Sequence, residues 1–145
     1  MIPYLDTSAL VKRYVQEPGS EEVSQVIAQA GVVGTCTLTR VEVTAALARA
    51  TRTRSLSAKE AASAFTAFQS EWESFVRIDL TEVLLTRAVR VAWEQRLRGY
   101  DAVHLAAALF WQEMLGEPVC VASYDRELWD AARHAGLEVF PRERP

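Results

Sequence analysis

Lysine, cysteine and histidine are scarce in this 145-residue chain, and it has no long apolar run. Cys36 and Cys120 are the only cysteines, standing singly in Gly34-Thr35-Cys36-Thr37 and Pro118-Val119-Cys120-Val121. That spacing makes no zinc motif. Both segments read as strands, so a reduced pair of core residues is expected. His104 and His134 are equally isolated, which argues against a zinc centre and against a histidine general base. No segment reaches the roughly 20 apolar residues that a bilayer-crossing helix needs. Met1-Ile2-Pro3-Tyr4-Leu5-Asp6 has neither the basic start nor the cleavage site of a secretory signal. The expectation is a cytoplasmic protein with no membrane partner.

Excess positive charge is also missing. The net charge of −3 gives no general signal of nucleic-acid binding. The basic residues are lopsided, however: Lys12 and Lys59 are the only lysines and the rest are arginine. Arginine forks suit phosphate, although a GC-rich coding sequence gives the same bias. Half of the residues are hydrophobic and 24% are charged, an ordinary balance for one globular domain spanning residues 1–145.

Strand-like and helix-like segments alternate along the chain. Ile2 to Leu5, Val32 to Cys36, Phe75 to Asp79, Val119 to Ala122 and Leu137 to Phe140 read as short strands. Between them, helices are predicted from Thr7 to Glu17 and from Ser20 to Ala30, the first ended by Pro18-Gly19 and the second by Gly31. Thr39-Arg40-Val41-Glu42 and Ser57-Ala58-Lys59-Glu60 both have the capping-box pattern, opening helices to about Arg54 and Ser74. Glu82 to Arg98 is a long helix stopped by Gly99. Asp101 to Leu115 is apolar nearly all round, which predicts deep burial. Asp125 to Ala135 is a last helix, stopped by Gly136. The alternation predicts an α/β fold: a mainly parallel sheet of four to five strands flanked by helices.

Four acids fall at strand ends or helix starts in this plan. Asp6 follows the first strand and Asp125 follows the fourth. Ligands of open α/β sheets bind beyond the carboxyl ends of the strands. Glu42 lies in the first turn of the helix after the second strand, and Asp101 opens the apolar helix. Each has a local explanation. Asp6 and Asp125 suit helix N-caps, Glu42 suits a capping box with Thr39, and Asp101 suits a first-turn acid answering the helix dipole.

Four segments carry a resemblance that joins these acids. Leu5-Asp6-Thr7-Ser8-Ala9-Leu10, Thr39-Arg40-Val41-Glu42, Arg98 to Ala108 and Ala122-Ser123-Tyr124-Asp125-Arg126-Glu127-Leu128 occur in one order across nearly the whole chain. In these segments the chain resembles PIN-domain ribonucleases of the VapC type, the toxins of bacterial toxin–antitoxin pairs. The resemblance implies a PIN-like domain that hydrolyses RNA, such as tRNA, with Mg²⁺ or Mn²⁺ held by Asp6, Glu42, Asp101 and Asp125. It implies 5′-phosphate and 3′-hydroxyl products, a small antitoxin as partner and a homodimer. The helices of residues 20–30 and 39–74 are the expected partner surfaces. Ser123 stands where the family often has threonine, which keeps a hydroxyl.

The physical chemistry agrees. Clustered carboxylates repel one another, and a hard divalent cation relieves that repulsion while preferring oxygen donors over zinc-type ligands. Thr7, Ser8 and Ser123 are candidates to hold the acids, or equally to cap local helices. Arg49, Arg52 and Arg54 downstream of Glu42, and Arg98 near Asp101, are candidate RNA contacts or solvated helix ends. A competing reading is a PIN-fold binding module with no catalysis. A receiver-type phosphotransfer domain would need a late lysine, which is absent, and a haloacid-dehalogenase site would need a second acid where Ser8 stands.

Overall fold

A computed structural model describes residues 1–145. Five three-residue strands are β1 (Pro3–Leu5), β2 (Gly34–Cys36), β3 (Val76–Ile78), β4 (Cys120–Ala122) and β5 (Glu138–Phe140). They form one sheet in the order β3-β2-β1-β4-β5, and every neighbouring pair is parallel. Strand order reverses at β1, so the crevice between β1 and β4 is the switch point at which such sheets bind ligands. Seven helices surround it: α1 (Thr7–Leu10), α2 (Ser20–Gln29), α3 (Leu38–Arg52), α4 (Ala58–Glu71), α5 (Glu82–Gln95), α6 (Gly99–Leu115) and α7 (Arg126–His134).

Alternation along the strands divides the core between the two faces of the sheet. Tyr4 and Val121 pack with residues of α5, α6 and α7, including Leu84, Leu105, Trp111 and Leu128. Leu5 and Ala122 pack on the other side with Val23, Val43, Leu47 and Phe68 of α2, α3 and α4. Small residues let α6 lie close to the sheet. At Gly34 a Cβ would collide with the Trp111 ring, so glycine is required there. Every buried side-chain nitrogen and oxygen has a hydrogen-bond partner.

The structure departs from the sequence reading at several helix ends. The first helix closes at Leu10 and continues only as a 3₁₀ turn, Val11–Arg13. The Ser20 hydroxyl donates to the Val15 carbonyl and accepts the Glu17 N–H, which holds a compact loop in place of further helix. The Ser57–Glu60 capping box forms. The Thr39–Glu42 box does not: α3 starts at Leu38, and Thr39 is buried with its hydroxyl accepting from Thr35 at 2.8 Å.

Helix α5 ends at Gln95, not at Gly99. Arg96 takes the left-handed conformation and the Leu97 N–H returns to the Ala92 carbonyl. Gly99 instead sits in the first turn of α6, with Arg98 as the residue before it. Helix α6 is not buried all round either, since Phe110, Met114 and Leu115 reach solvent. Trp72, Trp111 and Trp129 are in the core, whereas Trp93 on α5 is 87% exposed. No helix is long and apolar enough to cross a membrane.

Candidate active site

Asp6 leaves the end of β1 and caps α1. Its Oδ1 accepts the Ala9 N–H at 2.9 Å. The Ser8 hydroxyl lies 2.7 and 2.9 Å from its two oxygens, and Ser123 donates to Oδ2 at 2.7 Å. The same two hydroxyls accept backbone N–H groups from the loop after β4: Ser8 from Tyr124 at 2.8 Å and Ser123 from Asp125 at 3.1 Å. Ser8 and Ser123 therefore stitch the ends of β1 and β4 together around one carboxylate that is only 3% exposed. Burial raises the Asp6 carboxyl above its ordinary value despite the opposing pull of His104 and these donors.

Asp125 caps α7 through Oδ1, which accepts the Leu128 N–H at 3.0 Å. Its Oδ2 accepts Arg98 Nη2 at 2.6 Å. Asp101, in the first turn of α6 and also 3% exposed, takes the same guanidinium on Oδ2: Nη2 at 2.9 Å and Nε at 3.0 Å. Glu127 stands at the rim, 3.5 Å from Arg98. Burial first, then the Asp125 charge, push the Asp101 carboxyl up to about 6 although Arg98 pulls it down. Arg98 is thus a cation placed between two carboxylates, with 48% of its side chain exposed.

Glu42 reaches in from α3 and is anchored twice at one oxygen. Oε1 accepts Thr7 Oγ1 at 2.8 Å and His104 Nε2 at 2.6 Å. The other ring nitrogen of His104 is 2.9 Å from the Tyr4 hydroxyl, and Cys36 Sγ lies 3.9 Å away. Burial alone would raise the Glu42 carboxyl, but the His104 hydrogen bond and charge, helped by Thr7, hold it below its ordinary value. Burial pulls His104 down, yet the hydrogen bonds with Cys36 and Glu42 and the nearby negative groups bring it up to about 10. His104 is the residue that sequence reasoning set aside. Its only local signal was a polar residue on the buried face of α6, three residues after Asp101.

The four acids therefore meet at the carboxyl ends of β1 and β4 in two groups: Asp6, Asp101 and Asp125 around Arg98 and the serines, and Glu42 on Thr7 and His104. As placed, no three His, Cys, Asp or Glu side chains surround a common point for an ion. The donor chemistry nevertheless fits a hard divalent cation. The available ligand atoms are carboxylate oxygens, and a positive group already sits between Asp101 and Asp125. An open groove of about 540 Å³ is lined by Thr7, Glu42, Arg49 and Tyr100 among others. Arg49 lines it, while near the end of α3 its wall is made by Thr53 and Ser55 and not by Arg52 or Arg54. Arg98 faces the carboxylates and stacks beside the Tyr100 ring, 5.0 Å from its centre.

The chain is 36% identical over 141 residues to Ribonuclease VapC45 of Mycobacterium tuberculosis (strain CDC 1551 / Oshkosh), covering 97% of this chain and 95% of that one. Its fold is similar to VapBC2 from Rickettsia felis bound to a promoter DNA fragment, with a TM-score of 0.64, 12% identity and coverage of 96% and 97%. It is also similar to a toxin–antitoxin complex from Klebsiella pneumoniae, with a TM-score of 0.56, 17% identity and coverage of 81% and 83%. The PIN domain matches residues 4–134. With that match and a VapC relative aligned over nearly its whole length, the chain belongs to the PIN domain family, among the VapC ribonucleases.

Proposed function

We propose that this chain is an endoribonuclease that hydrolyses RNA phosphodiester bonds as the toxin of a toxin–antitoxin pair, using Mg²⁺ or Mn²⁺ at Asp6, Glu42, Asp101 and Asp125. The observation that supports the reading is that Asp101 and Asp125 share Arg98 beside Asp6 at the β1–β4 switch point, while Glu42 comes in from α3 onto Thr7, the neighbour of Asp6. Such a bound cation supplies Lewis acidity toward the phosphate and lowers the pKa of water. The protein's own part is orientation. Ser8 and Ser123 fix Asp6, Thr7 and His104 fix Glu42, and the caps of α1 and α7 hold Asp6 and Asp125 at their backbone positions. Arg98 has to give way for Asp101 and Asp125 to serve an added cation.

In-line attack by water would leave a 5′-phosphate and a 3′-hydroxyl. Arg49 in the groove beside Glu42 supports an RNA path on that side. The proposed partners are RNA, a small antitoxin protein and a second copy of this chain, and the proposed compartment is the cytoplasm. Two free, buried cysteines suit a reducing environment.

The test is cleavage of a single-stranded RNA or tRNA by pure protein with Mg²⁺ or Mn²⁺, for the wild type and for Asp6→Asn. Asparagine keeps the size and the cap but removes the charge. Cleavage should fall by orders of magnitude while circular dichroism stays unchanged. Near-wild-type cleavage by the folded variant overturns the assignment. A wild type that never cleaves would leave the silent binding module as the better reading.

A further inference from the structure

We infer that His104 is a positioning residue for the metal site: held from behind by Tyr4, it ties down one oxygen of Glu42 and leaves the other free. The inference rests on the divalent-cation reading above. Both hydrogen bonds to Glu42 end on Oε1, from Thr7 at 2.8 Å and His104 at 2.6 Å, and Oε2 accepts none. A glutamate on a helix has several rotatable bonds, and two donors on one oxygen fix the head group before any ion arrives. An ionised carboxylate only accepts, so Nε2 carries the hydrogen. In the neutral ring Nδ1 is then an acceptor, and the Tyr4 hydroxyl at 2.9 Å donates to it. Nε2 carries its hydrogen in the imidazolium as well, so the role does not depend on the protonation state of the ring.

His104 has no route to direct chemistry. It is 2% exposed and both ring nitrogens are engaged, so it touches neither RNA nor water. Its hydrogen bonds tie α6 to two other elements. Tyr4 is on β1, two residues before Asp6. His104 is on α6, three residues after Asp101. Glu42 is on α3. One ring thereby sets the spacing of Glu42 from the elements next to Asp6 and Asp101. Partners of this kind behind metal-binding carboxylates are typically worth about 10–100-fold in metal affinity.

The experiment is Mn²⁺ titration by calorimetry on the full chain, with melting in chelator as the fold control. The variants are His104→Ala, His104→Gln and Tyr4→Phe. Glutamine places an amide N–H near the position of Nε2. His104→Ala should weaken Mn²⁺ binding by about tenfold or more. His104→Gln should restore affinity to within a few-fold of wild type, even though its melting temperature stays lower. Tyr4→Phe should fall between the wild type and alanine. A folded His104→Ala that binds Mn²⁺ as the wild type does overturns the inference. So does a folded His104→Gln that binds no better than alanine. If alanine does not fold, the glutamine variant decides: near-wild-type affinity supports the role, and a tenfold loss overturns it. A wild type that binds no Mn²⁺ fails the metal reading itself, an outcome separate from intact binding in the variants.

Discussion

The two carboxylate groups of the site are balanced by different kinds of partner. Asp101 and Asp125 share one guanidinium on a half-exposed side chain whose backbone is the residue before a helix. Glu42 leans on an imidazole sealed in the core and tied to a tyrosine. A solvent-facing cation can rotate away on a long flexible stem, whereas a buried ring with both nitrogens engaged cannot move without disturbing the sheet. The difference gives the site an exchangeable side and a fixed side. Charge can be replaced where Arg98 sits, and geometry is preserved where His104 sits.

The sharpest way to break this comparison is Arg98→Gln. Without the guanidinium, Asp101 and Asp125 face each other with no cation. The chelated protein should lose about 2 kcal/mol, below the 3–5 kcal/mol of a fully buried pair because Arg98 is half exposed. Added Mn²⁺ should then stabilise the variant more than it stabilises the wild type. Thermal melts with chelator and with Mn²⁺ measure both effects. Unchanged stability in chelator would remove Arg98 as the balancing charge.

Asp101→Asn probes the same side with the opposite sign. The folded carboxyl sits at about 6, above the unfolded value of about 3.9. The fold therefore favours the protonated form. That contribution is complete below about pH 4 and is lost as pH rises through about 6. Asparagine cannot ionise, so in chelator the variant should gain on the wild type by about 1–2 kcal/mol at pH 7.5 and by nothing at pH 4. It should also respond less to Mn²⁺. A variant that is less stable at pH 7.5, with no metal response in either protein, would mark Asp101 as an ordinary first-turn acid.

The smallest effect belongs to the fixed side. Arg49→Ala should lower the salt dependence of RNA binding by a slope of about 0.7, the value for one single-strand phosphate contact. RNA affinity measured against salt reads it directly. Arg52→Ala and Arg54→Ala, outside the groove wall, should leave the slope unchanged. If they shift it as much as Arg49 does, the groove beside Glu42 is not the path.

What the sequence revealed and what it hid follow the range of the interactions. The alternation of strands and helices, the position of Asp6 and Asp125 at strand ends and the Ser57–Glu60 box depend on neighbours a few residues apart, and these were readable. The partners of the acids are not neighbours. Glu42 meets His104 across 62 residues, Asp125 meets Arg98 across 27, and Ser123 meets Asp6 across 117. A lone histidine in an apolar helix looks inert until the sheet brings Glu42 against it. The Thr39–Glu42 box illustrates the converse. The local pattern was correct as a pattern, but Thr39 is buried against Thr35 and Glu42 is drawn to Thr7 and His104. In the sequence Gly99 has the look of a stop, which makes Arg98 a helix end. The left-handed turn at Arg96 moved that stop and left Arg98 facing Asp101.

The two helix-capping aspartates carry an evolutionary consequence. In Asp125 one oxygen takes the cap hydrogen bond and the other meets Arg98, and Asp6 likewise caps through Oδ1 while Ser123 holds Oδ2. Asparagine caps a helix about as well as aspartate. A lineage could therefore lose the charge at either position, and with it the proposed chemistry, and still inherit an intact fold. Such a silenced copy would display the same outer surface as its active sibling.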